Sequence, residues 1–146
     1  MKRTLRLAFA AFVLVALTTG CAVNKATATV DPAARLDAIK TVHVTKFDKD
    51  ERGTDTLIAD NLRARGYKVS QGAQPAGPVD ITVTYVDKWF WDITMYMLEL
   101  TINFRDPKTD YPLATGNSLH TSLTRKAAPE MVDEVLTNIL KEGKNK

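Results

Sequence analysis

One thiol and two imidazoles have the strongest claim to chemistry in this chain: Cys21, His43 and His120. His120 stands two residues from Ser118 and two from Ser122. In a strand, residues two apart share a face, so a hydroxyl beside an imidazole is geometrically open to this sequence. A hydrolase of that kind also needs a carboxylate behind the ring and a nucleophile held on a strained turn. Neither serine lies in such a turn motif. A zinc site needs several Cys, His or acidic ligands at compatible spacing, and no Cys/His cluster exists. Asp48, Asp50 and Glu51 crowd one segment but lack the glycine and terminal glutamate of a calcium loop. They read as solvated loop acids rather than a glycosidase pair. Gly72 and Gly77 follow no phosphate-loop spacing. The chain is therefore expected not to be an enzyme, and to use no metal or diffusible cofactor.

Binding is the better prospect. The run from Tyr85 to Met97 holds both tryptophans, Trp89 and Trp91, together with Phe90, Tyr96 and Met95. Such rings beside acids suit a partner protein or a sugar. They equally suit the closed end of a core, or a membrane–water interface. Tyr85, Trp89, Phe90, Trp91, Met95 and Met97 form the candidate contact set. Arg125 and Lys126 are a second candidate, a basic pair for anionic headgroups or an acidic partner. A solvated loop is the plainer reading of that pair. His43 and His120 fall among threonines and are expected to face solvent.

The elements that must position these residues follow from periodicity. Thr41–Phe47 alternates as a strand, with Val42 and Val44 on one face. Thr54 or Asp55 is expected to cap a helix running to Arg65, which Gly66 ends. Tyr67–Gln71 reads as a short strand. Asp80–Trp89 alternates with Ile81, Val83 and Tyr85 on one side, and Asp92 or its neighbours turn the chain. Met95–Phe104 follows, with Tyr96, Leu98, Leu100, Ile102 and Phe104 on one face and Met95 and Met97 on the other. A hairpin is the economical reading. Leu113–Leu123 is a last strand. Pro129 opens a final helix striped by Met131, Val132, Val135, Leu136, Ile139 and Leu140. The order is β-α-β-β-β-β-α. The expected fold class is α+β: a two-layer sandwich of about five mostly antiparallel strands, with two helices on one face.

The amino terminus reads differently. Lys2, Arg3 and Arg6 precede an apolar stretch of 11 residues, Leu7–Leu17, and then Thr18, Thr19, Gly20 and Cys21. This is the layout of a secretory signal peptide, too short to span a bilayer, which takes about 20 residues. Ending in Gly20-Cys21, it resembles the bacterial lipoprotein signal, although Thr18 stands where an aliphatic residue is usual. An ordinary signal with an incidental cysteine is the alternative. The resemblance implies cleavage before Cys21 and a covalent lipid on its sulfur and new amino terminus. With Ala22 rather than aspartate following, it also implies the outer membrane, periplasmic face. Residues 1–20 are then signal, 21–38 lipidated cysteine and tether, 39–141 one α+β domain, and 142–146 a polar tail.

Charge fits that picture. The chain has 20 Lys+Arg and 17 Asp+Glu. Losing Lys2, Arg3 and Arg6 leaves 17 of each sign, so nothing argues for nucleic acid. Without a second cysteine the domain rests on burial alone. The helix end Leu62–Tyr67 and strand Lys68–Ser70 are similar to small envelope lipoproteins of the LptE-like and TolB-amino-terminal type. The pattern from Tyr85 to Met97 resembles proteobacterial lipoproteins with a tryptophan-rich hairpin. These resemblances bring no catalytic residues with them; the tryptophan hairpin and the open sheet face point to a non-enzymatic accessory or assembly module of the cell envelope, with a membrane anchor and an envelope protein partner. A glycan- or lipid-binding module using the Trp89/Trp91 hairpin is the alternative.

Overall fold

The structure, a computed structural model, describes residues 23–145. Alternating apolar residues make six strands: β1 Asn24–Val30, β2 Thr41–Thr45, β3 Lys68–Gly72, β4 Ile81–Asp92, β5 Thr94–Arg105 and β6 Pro112–His120. Two helices, α1 Thr54–Ala64 and α2 Ala128–Lys144, interrupt and close the series. The strands form one sheet in the order β1-β6-β5-β4-β2-β3. Parallel neighbours require a crossover rather than a tight turn; α1 supplies it between β2 and β3, and β2 also lies parallel to β4. The other pairs are antiparallel. This is the expected α+β two-layer sandwich, with one strand more than the sequence suggested.

The extra strand is β1, inside the segment read as a tether. Its inward residues are Ala26, Ala28 and Val30, of which the two alanines carry little strand signal on their own. β1 pairs with β6 along its own full length, from Asn24↔His120 to Val30↔Ala114. Without β1, the β6 backbone would be an open edge beside α2. The polar tail is also shorter than expected. Helix α2 runs through Lys144, with Lys141 and Lys144 set against the negative end of its dipole.

The core lies between the sheet and the helices. Met131, Val132, Val135, Leu136 and Ile139 of α2 are fully buried against Leu100, Ile102 and Phe104 of β5. Burying each such side chain contributes about 1.5–3 kcal/mol. Gly116 on β6 lets the helix approach: a Cβ there would come 2.7 Å from Val135 Cγ1 and 2.8 Å from Ile139 Cγ1. Glu130 accepts the Ala127 N–H at 2.9 Å, satisfying a donor at the start of α2.

At α1, neither Thr54 nor Asp55 is the cap. Gly53 takes that position in the left-handed conformation, φ 70°. Asp50 reaches forward instead, its Oδ2 accepting the Asp55 N–H at 3.0 Å. Thr54 Oγ1 is turned inward to donate to Asp87 at 2.7 Å. Gly66, at φ 94°, ends the helix as expected, and the Tyr67 N–H closes back on the Leu62 carbonyl.

Both histidines are buried, against expectation. His43 sits on β2, between β3 and β4. Its ring nitrogens reach Ser70 Oγ at 2.9 Å and the Gly72 carbonyl at 3.2 Å. His120 follows the period-two line of Ala114, Gly116 and Ser118, which places it under α2.

Candidate functional site

The β4–β5 hairpin is longer than the sheet that supports it. β2 pairs with β4 only at Ile81–Val83, and β6 pairs with β5 only from Glu99 onward. Beyond those points the two strands pair with each other alone, ending at Asp92↔Thr94 around Ile93. Ile93 is left-handed, φ 62°, an unfavourable state for a β-branched residue, and it is 85% exposed.

A bulge divides the hairpin. Lys88 pairs with Glu99 but Trp89 pairs with Met97, leaving Leu98 as the extra residue. One added residue shifts the alternation. Met97 therefore turns to the core and is buried, and Tyr96 moves to the opposite side. The simple alternation expected along Met95–Phe104 holds only from Leu100 to Phe104.

The candidate contact set splits at this bulge. Tyr85 is buried, its hydroxyl donating to Asp50 Oδ2 at 2.6 Å and accepting the Phe47 N–H at 3.2 Å. Burial of Asp50 pushes its carboxyl up, but the hydrogen bonds from Tyr85 and three backbone N–H groups outweigh this and hold it at about 2. Burial, reinforced by the Asp50 hydrogen bond, raises the Tyr85 phenol. Trp89 is half-buried; its Nε1 donates to Asp87 at 2.8 Å and the Arg52 guanidinium lies 4.6 Å over its ring. Tyr85, Trp89 and Met97 thus serve the fold. Phe90, Trp91 and Met95 are exposed, Trp91 at 67%. Phe90 touches Tyr96 edge-on at 6.1 Å. The two indoles do not stack into one platform, so the glycan reading loses the observation it rested on.

The segment after β6 braces the hairpin. Ser122 Oγ donates to Asp92 Oδ2 at 2.5 Å and meets the Tyr96 hydroxyl at 3.2 Å. Arg125 lies 4.7 Å over the Tyr96 ring and donates to Thr94 Oγ1 at 2.8 Å. Lys126 turns the other way, to Glu134 Oε1 at 2.5 Å. Neither basic residue is a free solvated charge; each ties one element to another. Sequence reasoning missed Ile93 and Leu123, both strongly exposed. An isoleucine directly after Asp92, at the turn, was the available signal for the first.

The serine–histidine constellation resolves into a buried network. Ser118 Oγ donates to Glu134 Oε2 at 2.6 Å, and His120 Nε2 meets the same oxygen at 2.8 Å. Burial pushes the Glu134 carboxyl up, but Lys126, Ser118 and His120 together hold it at about 2. An ionised Glu134 accepts a proton-bearing Nε2, and His120 Nδ1 finds no partner among the described residues. Ser118 and His120 are both sealed from solvent and do not bond to each other. This geometry is a packing device, with no access for a substrate. Ser122 is committed to the hairpin. No group of three or more His, Cys, Asp or Glu among the described residues could hold a metal. Cys21 lies outside the described residues. No described helix is long and apolar enough to cross a membrane.

No family model matches the chain, and no curated protein matches it by sequence. Solved structures do. The PelC dodecamer of Paraburkholderia phytofirmans superposes in two crystal forms. One gives a TM-score of 0.58 at 17% identity, covering 80% of this chain and 96% of that one. The other gives 0.56 at 14% identity, covering 83% and 97%. A DUF4136 family protein from Bacteroides thetaiotaomicron gives 0.53 at 9% identity, covering 81% and 95%. At such identities the likeness establishes a shared fold.

Proposed function

We propose that this protein is an outer-membrane lipoprotein whose domain faces the periplasm and acts as a non-enzymatic assembly module of the cell envelope. The observation that carries the reading is the sheet's pair of outer strands, β1 and β3, in a fold that PelC uses as a dodecamer. An outer strand offers unpaired N–H and C=O groups to another chain, and two different edges permit head-to-tail assembly. The burial of Ser118 and His120 supports a role without catalysis. The Gly20-Cys21 signal supports the anchor.

Native mass spectrometry of the mature protein in mild detergent tests the assembly role. The expected result is a defined multiple of the chain, or a fixed-ratio complex with one envelope protein. A monomer with no retained partner would reject it. Membrane fractionation tests the anchor separately: Cys21→Ser should abolish acylation and release the cleaved protein or leave it uncut. A cleaved mutant still held in the membrane would rule the lipid anchor out.

A further inference from the structure

Nine large apolar side chains are exposed among the described residues, and six belong to one end of the molecule. Phe90, Trp91, Ile93 and Met95 form the hairpin tip. Leu123, 77% exposed, lies on the brace beside it, and Val23 is where the described chain begins. Isolated exposed apolar residues are ordinary, but a contiguous group marks a contact surface.

The position of Val23 says what that surface meets. Its N–H donates to Thr121 Oγ1 at 3.0 Å, and its carbonyl accepts from the Thr121 N–H at 3.2 Å and Thr124 Oγ1 at 2.6 Å. The same segment holds the hairpin tip through Ser122–Asp92 and Arg125–Thr94. Only Ala22 stands between Cys21 and Val23 in the sequence, and two residues of chain span at most about 7 Å. No long tether separates the lipid attachment point from the folded domain, because β1 begins at Asn24. From Glu99 to Thr94 the hairpin extends past β6 by at most about 17 Å. That is comparable with half of the ~30 Å hydrocarbon layer. An anchor at Cys21 and the apolar tip can therefore meet one membrane plane together.

We infer that the tip formed by Phe90, Trp91, Ile93 and Leu123 is a second membrane-contact site, seated in the interfacial layer of the bilayer that holds Cys21. Tryptophan is favoured at that depth because its ring is apolar and its N–H stays near the headgroups. Acyl chains alone fix a protein to the membrane but not its orientation. The tip fixes the orientation, standing the sheet on end and leaving β1 and β3 clear for lateral contacts. The inference rests on the Cys21 anchor.

The test uses the full mature protein in vesicles of phosphatidylethanolamine and phosphatidylglycerol, part of the lipid carrying bromine high on its acyl chains. Intact-mass measurement first records whether Cys21 is acylated. With acylated protein, brominated vesicles should cause a large loss of tryptophan emission, and Trp91→Phe should remove most of that loss. Trp89 then remains as the half-buried reference. Acylated protein whose emission ignores the bromine overturns the contact and leaves the anchor standing. Equal quenching in Trp91→Phe also overturns it. Protein lacking acyl groups overturns the anchor, and the contact with it. Crosslinking of the tip to another copy, without bromine quenching, would assign the surface to self-association instead.

Discussion

The two ends of the β4–β5 hairpin are made of similar residues and have opposite fates. At the root, Ile81, Val83 and Tyr85 of β4 and Leu100, Ile102 and Phe104 of β5 line the core face beneath the helices, and all six are buried. At the tip, Phe90, Trp91, Ile93 and Met95 are as apolar and lie exposed. Composition does not separate them. Neighbours do: the root has β2 and β6 on its flanks and α2 above, whereas the tip has only its own partner strand and the brace from Ser122 to Arg125. Apolar surface that the fold leaves uncovered is available for contact, and the bulge at Leu98 marks the boundary.

The comparison breaks most sharply under α2. Leu136→Asp should unfold the domain, with a loss of more than about 4 kcal/mol, because it buries an unpaired charge. Circular dichroism would reveal it, and a cooperative melt near that of the parent would show that this face is not core. Gly116→Ala should cost about 1–3 kcal/mol through overpacking against Val135 and Ile139, read as a lower denaturation midpoint at unchanged slope.

Glu134 sharpens the comparison through pH. Its carboxyl is held at about 2 in the fold against 4.5 ordinarily. A depressed carboxylate contributes stability above its unfolded value and loses it as pH falls through the folded value. That contribution should fade between about pH 4.5 and 2. Glu134→Gln should be less stable at pH 7 and show a flatter stability profile in that window; a profile parallel to the parent's would remove Glu134 from the account. The smallest effect is expected at the tip. Trp91→Ala should change stability by less than about 0.5 kcal/mol, since exposed substitutions rarely do more. A thermal shift of several degrees would mean that Trp91 belongs to the core after all.

Much of the root was legible from period-two alternation alone, and the α2 stripe from its helical spacing. What escaped has identifiable physical causes. Ala26, Ala28 and Val30 alternate correctly, but the two alanines let β1 pass for a tether; its strand state comes from pairing with β6 and packing under α2. Met97 and Tyr96 changed faces because one unpaired residue shifts the alternation, and nothing local to Leu98 announces a bulge. Ser118 and His120 were correctly placed on one face. Their burial depended on Glu134, contributed by an element 14 residues beyond His120. Arg125 and Lys126 looked like free charge because their partners, Tyr96, Thr94 and Glu134, are non-local.

The pairing of β1 with β6 also sets the order of events in folding. Asn24 must find His120, and Val30 must find Ala114. The segment synthesised first among these strands can complete its ladder only after β6, the last of them, has been made. Closing so long a loop delays the reward until late. A sheet of this topology stays incomplete until its last strand has been made, so the earlier strands wait on β6 for their native order.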